Sequence, residues 1–356
     1  MGQSRANAVA SAKTASADGR HAEGGRAVLL TCIGRRVSLL NAFRHAAQGM
    51  RPAVRFYGTD TSELSPALQL CDDAFLVEPT THPRYIDQLL SLVGAHRVGL
   101  LVPTVDLDLR LLALHRERFE QLGCRVLVSS SEVVDICQDK RRTYGFLRRH
   151  GFDTPVTQSI RAALAADRRG ELTWPCFLKP WDGHAGKGST VVRDRKELLY
   201  FAKRTPNAMC QELASGTEYT CDVYVDFERR VRCVVPRRRL EVRSGEVSKA
   251  RTVKHVPIIQ EAARLVERLG AGPGVITLQL FETPQNEIKF IEINPRFGGG
   301  APLSIRAGAD FPKWILHELI GKPLPIDFDT FEDGLIMLRY DAEVWLTDSQ
   351  TKGTKV

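Results

Sequence analysis

The sequence predicts an α/β protein: a parallel sheet with helices on both faces, followed by a larger region of mixed sheet. Two observations carry this. Between residues 27 and 128, short apolar runs alternate with helix-length amphipathic stretches, the pattern of strands joined by crossover helices. Beyond residue 129, strand–turn–strand units appear instead, one across a glycine loop and one across Thr283-Pro284-Gln285-Asn286. At a prior of roughly 150 residues per domain, 356 residues make two or three domains. The 43% hydrophobic content supplies a core, and no apolar run approaches the roughly 20 residues of a membrane helix. A soluble, cytoplasmic protein is expected. The net charge of +8 suits an anionic partner without choosing between nucleic acid and nucleotide.

The strands expected in the first domain are Ala27–Cys32, Val54–Thr59, Ala74–Val77, Gly99–Pro103 and Val126–Ser129, with helices near 37–48, 83–93 and 106–122. Ligands of such sheets bind beyond the carboxyl ends of the strands. Those ends carry Gly34-Arg35, Thr59-Asp60 and Thr104-Val105-Asp106. The first turn has only Gly34, so the domain is Rossmann-like without the glycine fingerprint of dinucleotide binding. The eight cysteines form no C-x-x-C pair and mostly sit in apolar runs, as small hydrophobes in a reducing compartment. Residues 1–26, rich in Ala, Ser, Gly and Arg, read as a disordered leader, and residues 347–356 as a loose polar tail.

In the second region one helix is expected from Ser131 through Asp139-Lys140 to His150, ended by Gly151. The apolar strand Trp174–Pro180 then finishes at Lys179-Pro180, and Gly183, Gly186 and Gly188 punctuate the loop before Thr190-Val191-Val192. Backbone N–H groups bared by glycine close readily on phosphate oxygens. The spacing is not that of a Walker loop, and a flexible exposed turn has the same composition. Farther on, strands Val275–Phe281 and Ile288–Ile293 form a hairpin. A turn centred near Gln285 sets Gln279 across from Glu292, and alternation brings Asn294 to the same face. Three oxygen donors on one face suit Mg2+. Leu278, Leu280, Ile291 and Ile293 are expected to face the core. Pro295 stops the strand and leaves Arg296 at its tip, where a guanidinium can grip a phosphoryl group.

These pieces in this order resemble the ATP-grasp superfamily, above all the carbamoyl-phosphate synthetase large-subunit branch and its carboxylate–amine ligase relatives. The matching segments are Asp139-Lys140, Phe177–Pro180, Gly183–Ser189, Gln211-Glu212 through Glu218, Gln279 and Ile291–Arg296. Gly58-Thr59-Asp60 and Pro103–Asp106 resemble the pre-ATP-grasp domain of that branch. The resemblance implies a pre-ATP-grasp domain over 27–128 and an ATP-grasp domain over 129–346, with a lid subdomain near 155–214 and a mixed-sheet core. It implies that Lys140 and Lys179 neutralise ATP phosphates and that Gly183, Gly186 and Gly188 cover them. Gln211, Glu212 and Leu213 would line the adenine pocket, and Glu218 would bind the ribose. Gln279, Glu292 and Asn294 would hold one or two Mg2+ ions, replaceable by Mn2+, with Arg296 on the γ-phosphate. Lys249 and Arg251 would meet the substrate carboxylate or its acyl phosphate. A solvated basic sheet edge is the plainer reading of those two and of the arginines in 229–240.

The expected reaction is ATP-dependent joining of a carboxylate to an amine through an acyl phosphate, releasing ADP and phosphate. A bicarbonate-using carboxylase-like enzyme and a non-catalytic ATP-binding regulator are the alternatives. The chain is too short for tandem synthetase halves, so carbamoyl phosphate is not the expected product. The arginine run lacks interleaved aromatics, which argues against nucleic acid. A homodimer is expected by analogy.

Overall fold

The computed structural model describes residues 27–183, 186–243 and 245–356; the leader expected over 1–26 lies outside them. The described residues form three sheets. The first contains β1 (Ala27–Thr31), β2 (Arg55–Asp60), β3 (Asp73–Leu76), β4 (Val98–Pro103) and β5 (Arg125–Val126). The lid sheet contains β6 (Thr157–Ser159), β7 (Cys176–Pro180), β8 (Thr190–Val192) and β9 (Ala208–Glu212). The core sheet contains β10 (Thr217–Val225), β11 (Val231–Arg243), β12 (Glu246–Thr252), β13 (Gly274–Glu282), β14 (Ile288–Asn294) and β15 (Ile336–Leu338). A last strand, β16 (Thr354–Lys355), returns to the first sheet.

The first sheet is parallel, in the order β16-β3-β2-β1-β4-β5. Its central strands are buried along their length, as apolar runs covered on both faces must be. The chain order reverses between β1 and β4, so the crevice at their carboxyl ends is the natural ligand position. Two expectations need correction here. The stretch 106–122 breaks at His115 into helices Leu109–Leu114 and Arg116–Gln121. The segment expected as a loose tail is tied down: Gln69 exchanges two hydrogen bonds with the Lys352 backbone (2.7 and 2.8 Å), and β16 pairs with β3. Edge strand β3 offered unpaired backbone groups, and the C-terminal segment satisfies them.

The expected helix through 131–150 is two helices, Ser131–Gln138 and Lys140–Arg149. Asp139 adopts an extended conformation between them, and its carboxylate accepts from the Arg141 N–H at 2.9 Å. Local side-chain capping thus competes with continuation of the helix and wins. Lys140 becomes the first residue of a helix rather than a mid-helix residue.

The lid sheet runs β6-β9-β7-β8, and its antiparallel pairs include Cys176 with Val192 across the glycine loop. The core sheet runs β14-β13-β10-β11-β12-β15. One face of it packs Cys221, Val223, Ile276, Leu278, Leu280 and Ile293 against helix Val256–Leu269 and the two helices flanking Asp139. A second core joins the domains: helix Val37–Ala46 packs on Phe297, Phe311 and Trp314, with the Phe43 and Phe297 rings 5.8 Å apart. That packing holds the carboxyl ends of β1 and β4 against the open face of the core sheet. Among the described residues, no helix is long and apolar enough to cross a membrane.

Candidate active site

The β13–β14 hairpin has the expected register: Gln279 lies opposite Glu292, and Thr277 opposite Asn294. Gln279, Glu292 and Asn294 therefore share the face away from the apolar core. A bulge between Gln279 and Leu280 alters one expected core residue. Phe290, not Ile291, sits opposite Leu280 and is buried, while Ile291 is half-buried. The extra residue of a bulge re-aims the side chains beside it.

Two lysines reach this face. Lys140 Nζ stands 3.6 Å from Glu292 Oε1 and donates to the Gly183 carbonyl. Its own N–H donates to the Trp181 carbonyl at 3.0 Å, which stitches the helix start to the lid loop. Lys179, on β7, is only 8% exposed. Burial pushes its ammonium down to about 8; Glu292 opposes that fall and Lys140 adds to it. Like charges held this close to one carboxylate form a site ready for an anion.

The glycine loop is described except at His184 and Ala185. Gly186 and Gly188 have φ of +68° and +71°, conformations that side chains disfavour. At the edge of the lid, Gln211 is buried and donates to Thr157 Oγ1 at 2.7 Å. Glu212 accepts from the Val156 N–H at 3.0 Å and from Lys289 Nζ of β14 at 2.8 Å. Partial burial would raise its pKa, but Lys289 and the Val156 N–H hold it below the ordinary value. This pair bridges lid and core. Leu213 follows it and is exposed.

Glu218 lies on the same face of the sheet and pairs with Arg239 at 2.9 Å. Burial raises the Glu218 pKa against the pull of Arg239, and burial likewise lowers that of Arg239. Below this pair, Arg237 is 1% exposed and meets Asp222 with two hydrogen bonds of 2.8 and 3.0 Å. Thr277 and Ser304 also donate to Asp222, at 3.2 and 2.6 Å. The reading of 229–240 as a solvated basic edge therefore fails for Arg237 and Arg239. Strand β11 is interior to the sheet, and alternation sets these two arginines beside Asp222 and Glu218 of β10. The matched spacing of acids on one strand and arginines on the next was the available signal.

The structure does not bring Lys249 and Arg251 to this face. They alternate with Ser248, Ala250 and Thr252, which are the buried positions of β12. Thr252 lies opposite Arg237, whereas Arg251 lies opposite Arg238 and is exposed. Lys249 pairs with Glu241 at 2.7 Å at the rim. His255 caps helix Val256–Leu269 through its Nδ1 and bonds Glu282 at 2.6 Å, a structural task.

Arg296 pairs with Asp106 of the first domain. Around it the structure gathers residues that the sequence left unassigned. Arg36 Nη2 donates to the Thr104 carbonyl at 2.9 Å, and Arg339 Nη1 meets Glu246 at 3.1 Å. Gly298-Gly299-Gly300 runs between them. At Gly300 a Cβ would collide with the Arg237 guanidinium, which Asp222 holds in place, so a side chain there is strongly disfavoured.

Among the described residues, no three His, Cys, Asp or Glu side chains form a metal cluster. The donors Gln279, Glu292 and Asn294 comprise one carboxylate and two amides. That set suits Mg2+ whose remaining ligands are phosphate oxygens and water. It does not suit a metal held by protein alone.

Known proteins match both parts of the chain. The family described as PylC-like, N-terminal domain, matches residues 28–127, and the ATP-grasp domain matches residues 137–300. The D-alanine–D-alanine ligase of Bacillus anthracis is 26% identical over 152 residues, 38% of this chain and 50% of the ligase. The carbamoyl phosphate synthase large chain of Vibrio cholerae is 27% identical over 222 residues, 58% of this chain and 20% of that one. The chain thus matches half the length of the first relative and a fifth of the second. Among solved structures, the biotin carboxylase domain dimer of Hydrogenobacter thermophilus 2-oxoglutarate carboxylase, in complex with MgADP, ADP and bicarbonate, has a TM-score of 0.68. It is 14% identical and covers 87% of this chain and 73% of that one, a likeness of fold.

Proposed function

Because the chain belongs to the ATP-grasp superfamily, with a PylC-like domain on its amino-terminal side, we propose that it is an ATP-dependent carboxylate–amine ligase. The observation that carries this reading is the convergence of Lys140, Lys179 and Glu292 where the lid loop meets the core sheet. ATP would lie between the lid and core sheets, with its adenine against Gln211, Glu212 and Leu213 and its ribose near Glu218. Arg239 already holds Glu218, so a ribose hydroxyl would share that carboxylate with the guanidinium. Lys140 and Lys179 would face the phosphates, and Gly183, Gly186 and Gly188 would close over them. Gln279, Glu292 and Asn294 would hold Mg2+, which neutralises phosphate charge when bound.

A carboxylate and ATP repel one another, so the cations of the site lower the barrier by screening that repulsion. The carboxylate oxygen attacks the γ-phosphorus and ADP leaves with the electrons of the broken P–O bond. The resulting acyl phosphate is attacked by an amine. A C–N bond forms, phosphate leaves, and the amine loses a proton. Water would destroy the intermediate, which gives the glycine lid a purpose. Lys249 and Arg251 are poor candidates for the acceptor side, whereas Arg296 and Arg339 would flank it.

The test is release of ADP and phosphate from Mg-ATP across a panel of carboxylates, bicarbonate included, with and without amines. Release that requires one carboxylate and one amine, and falls at least about 100-fold in Glu292→Ala, supports the ligase. Release with bicarbonate alone would move the reading to a carboxylase. Nucleotide binding with no turnover on any member would overturn it in favour of a binding protein.

A further inference from the structure

Arg36 follows β1 at the carboxyl end of the first sheet, in the crevice where β1 and β4 part. The crevice beyond such a reversal is where open α/β sheets take ligands. Arg36 is half-buried, yet among the described residues it has no salt-bridge partner. The carboxylates around it are engaged elsewhere: Asp106 by Arg296, and Glu246 by Arg339 at 3.1 Å and Arg35 at 3.8 Å. The guanidiniums of Arg35, Arg36, Arg296 and Arg339 thus share only two carboxylates, Asp106 and Glu246, and positive charge is in excess.

The guanidiniums also converge. A Cβ placed on Gly299 would lie 3.5 Å from Arg36 Nη1 and 4.0 Å from Arg339 Nη1, with Glu246 Oε2 at 3.8 Å beside them. Two arginines from different domains thus approach one bare stretch of backbone. Burial pushes Arg36 down to about 10, and Arg296 adds to that against the pull of Glu246 and Asp106. Those two carboxylates are already paired with Arg296, Arg339 and Arg35, so a further anion would stabilise the buried guanidinium.

We propose that Arg36, opposed by Arg339 across Gly299, grips a carboxylate of the substrate, so that the amino-terminal domain supplies part of the acceptor site. A guanidinium fork matches the two oxygens of a carboxylate. This inference rests on the ligase reading, and it names the residue that selects the substrate.

The test titrates acetate, bicarbonate, each common amino acid and inorganic phosphate into protein saturated with Mg-ADP, by calorimetry. Wild type, Arg36→Gln and Arg36→Lys are compared, with ADP affinity within twofold of wild type as proof of an intact fold. At least one carboxylate should bind wild type, weaken about tenfold or more in Arg36→Gln, and recover in part in Arg36→Lys. Equal binding in wild type and Arg36→Gln overturns the proposal, as does preference for phosphate or binding of no carboxylate at all. The two readings fail separately. Arg36-dependent carboxylate binding without turnover sinks the ligase alone, and turnover with Arg36-independent binding sinks this inference alone.

Discussion

Lys179 gives the site a proton signature. Burial lowers its pKa from the ordinary 10.5 to about 8. At about 1.4 kcal/mol per unit, the buried ammonium is disfavoured by something on the order of 3 kcal/mol. The sign follows from linkage. Between pH 8 and 10.5 the unfolded chain holds this proton and the folded chain does not, so stability rises with pH across that window. Below pH 8 the penalty is fully present. In the proposed site, nucleotide phosphates beside Lys179 would restore its affinity for the proton. At pH 8 the free protein is half deprotonated there, so binding of Mg-ADP takes up about half a proton. Calorimetric titration at pH 8 in two buffers of different ionisation enthalpy measures that uptake. Lys179→Met should abolish it and flatten the rise of stability with pH. The same uptake in Lys179→Met, or proton release in wild type, would refute the assignment of Lys179 to the phosphates.

Two further outcomes are expected. Asp222→Ala leaves Arg237 charged and unpaired in the interior, which costs about 3–5 kcal/mol in urea unfolding. Pairing it with Arg237→Met should recover much of that loss, and a single-variant cost below about 1 kcal/mol would contradict the network. Asp139→Ala removes a cap worth about 1 kcal/mol and loosens the helix start that presents Lys140. It should therefore weaken ATP binding as well as stability. Partial burial would raise the Asp139 pKa, but its bonds to Arg141 hold it below 3.8. The cap's contribution is thus present above pH 3.8 and lost as pH falls below that value, which acid unfolding of the two proteins compares.

The legible parts of the site are those whose partners are close in the chain or repeat with a strand's period. Gln279 and Glu292 meet across one turn, so alternation alone sets them on one face, as the hairpin register bears out. Lys179 was legible for the same reason, at the end of a strand before a glycine loop. The bulge at Ile291 was not, because a one-residue slip depends on what Phe290 finds to pack against. Arg237 looked like one more surface arginine because only its neighbours on β10 bury and pair it.

The sequence by itself determined the two-part α/β architecture and the order of the ATP-grasp motifs, since hydrophobic period, glycine spacing and turn residues act locally. Tertiary structure alone decided how the domains share the site. Arg296 meets Asp106 across 190 residues, and Arg36 reaches Thr104 across 68. Arg339 joins them only because β15 adds to the edge of β12. Such meetings depend on how helix Val37–Ala46 seats against Phe297, Phe311 and Trp314. Apolar packing is not directional in sequence, so the charges it gathers cannot be read until the fold has closed.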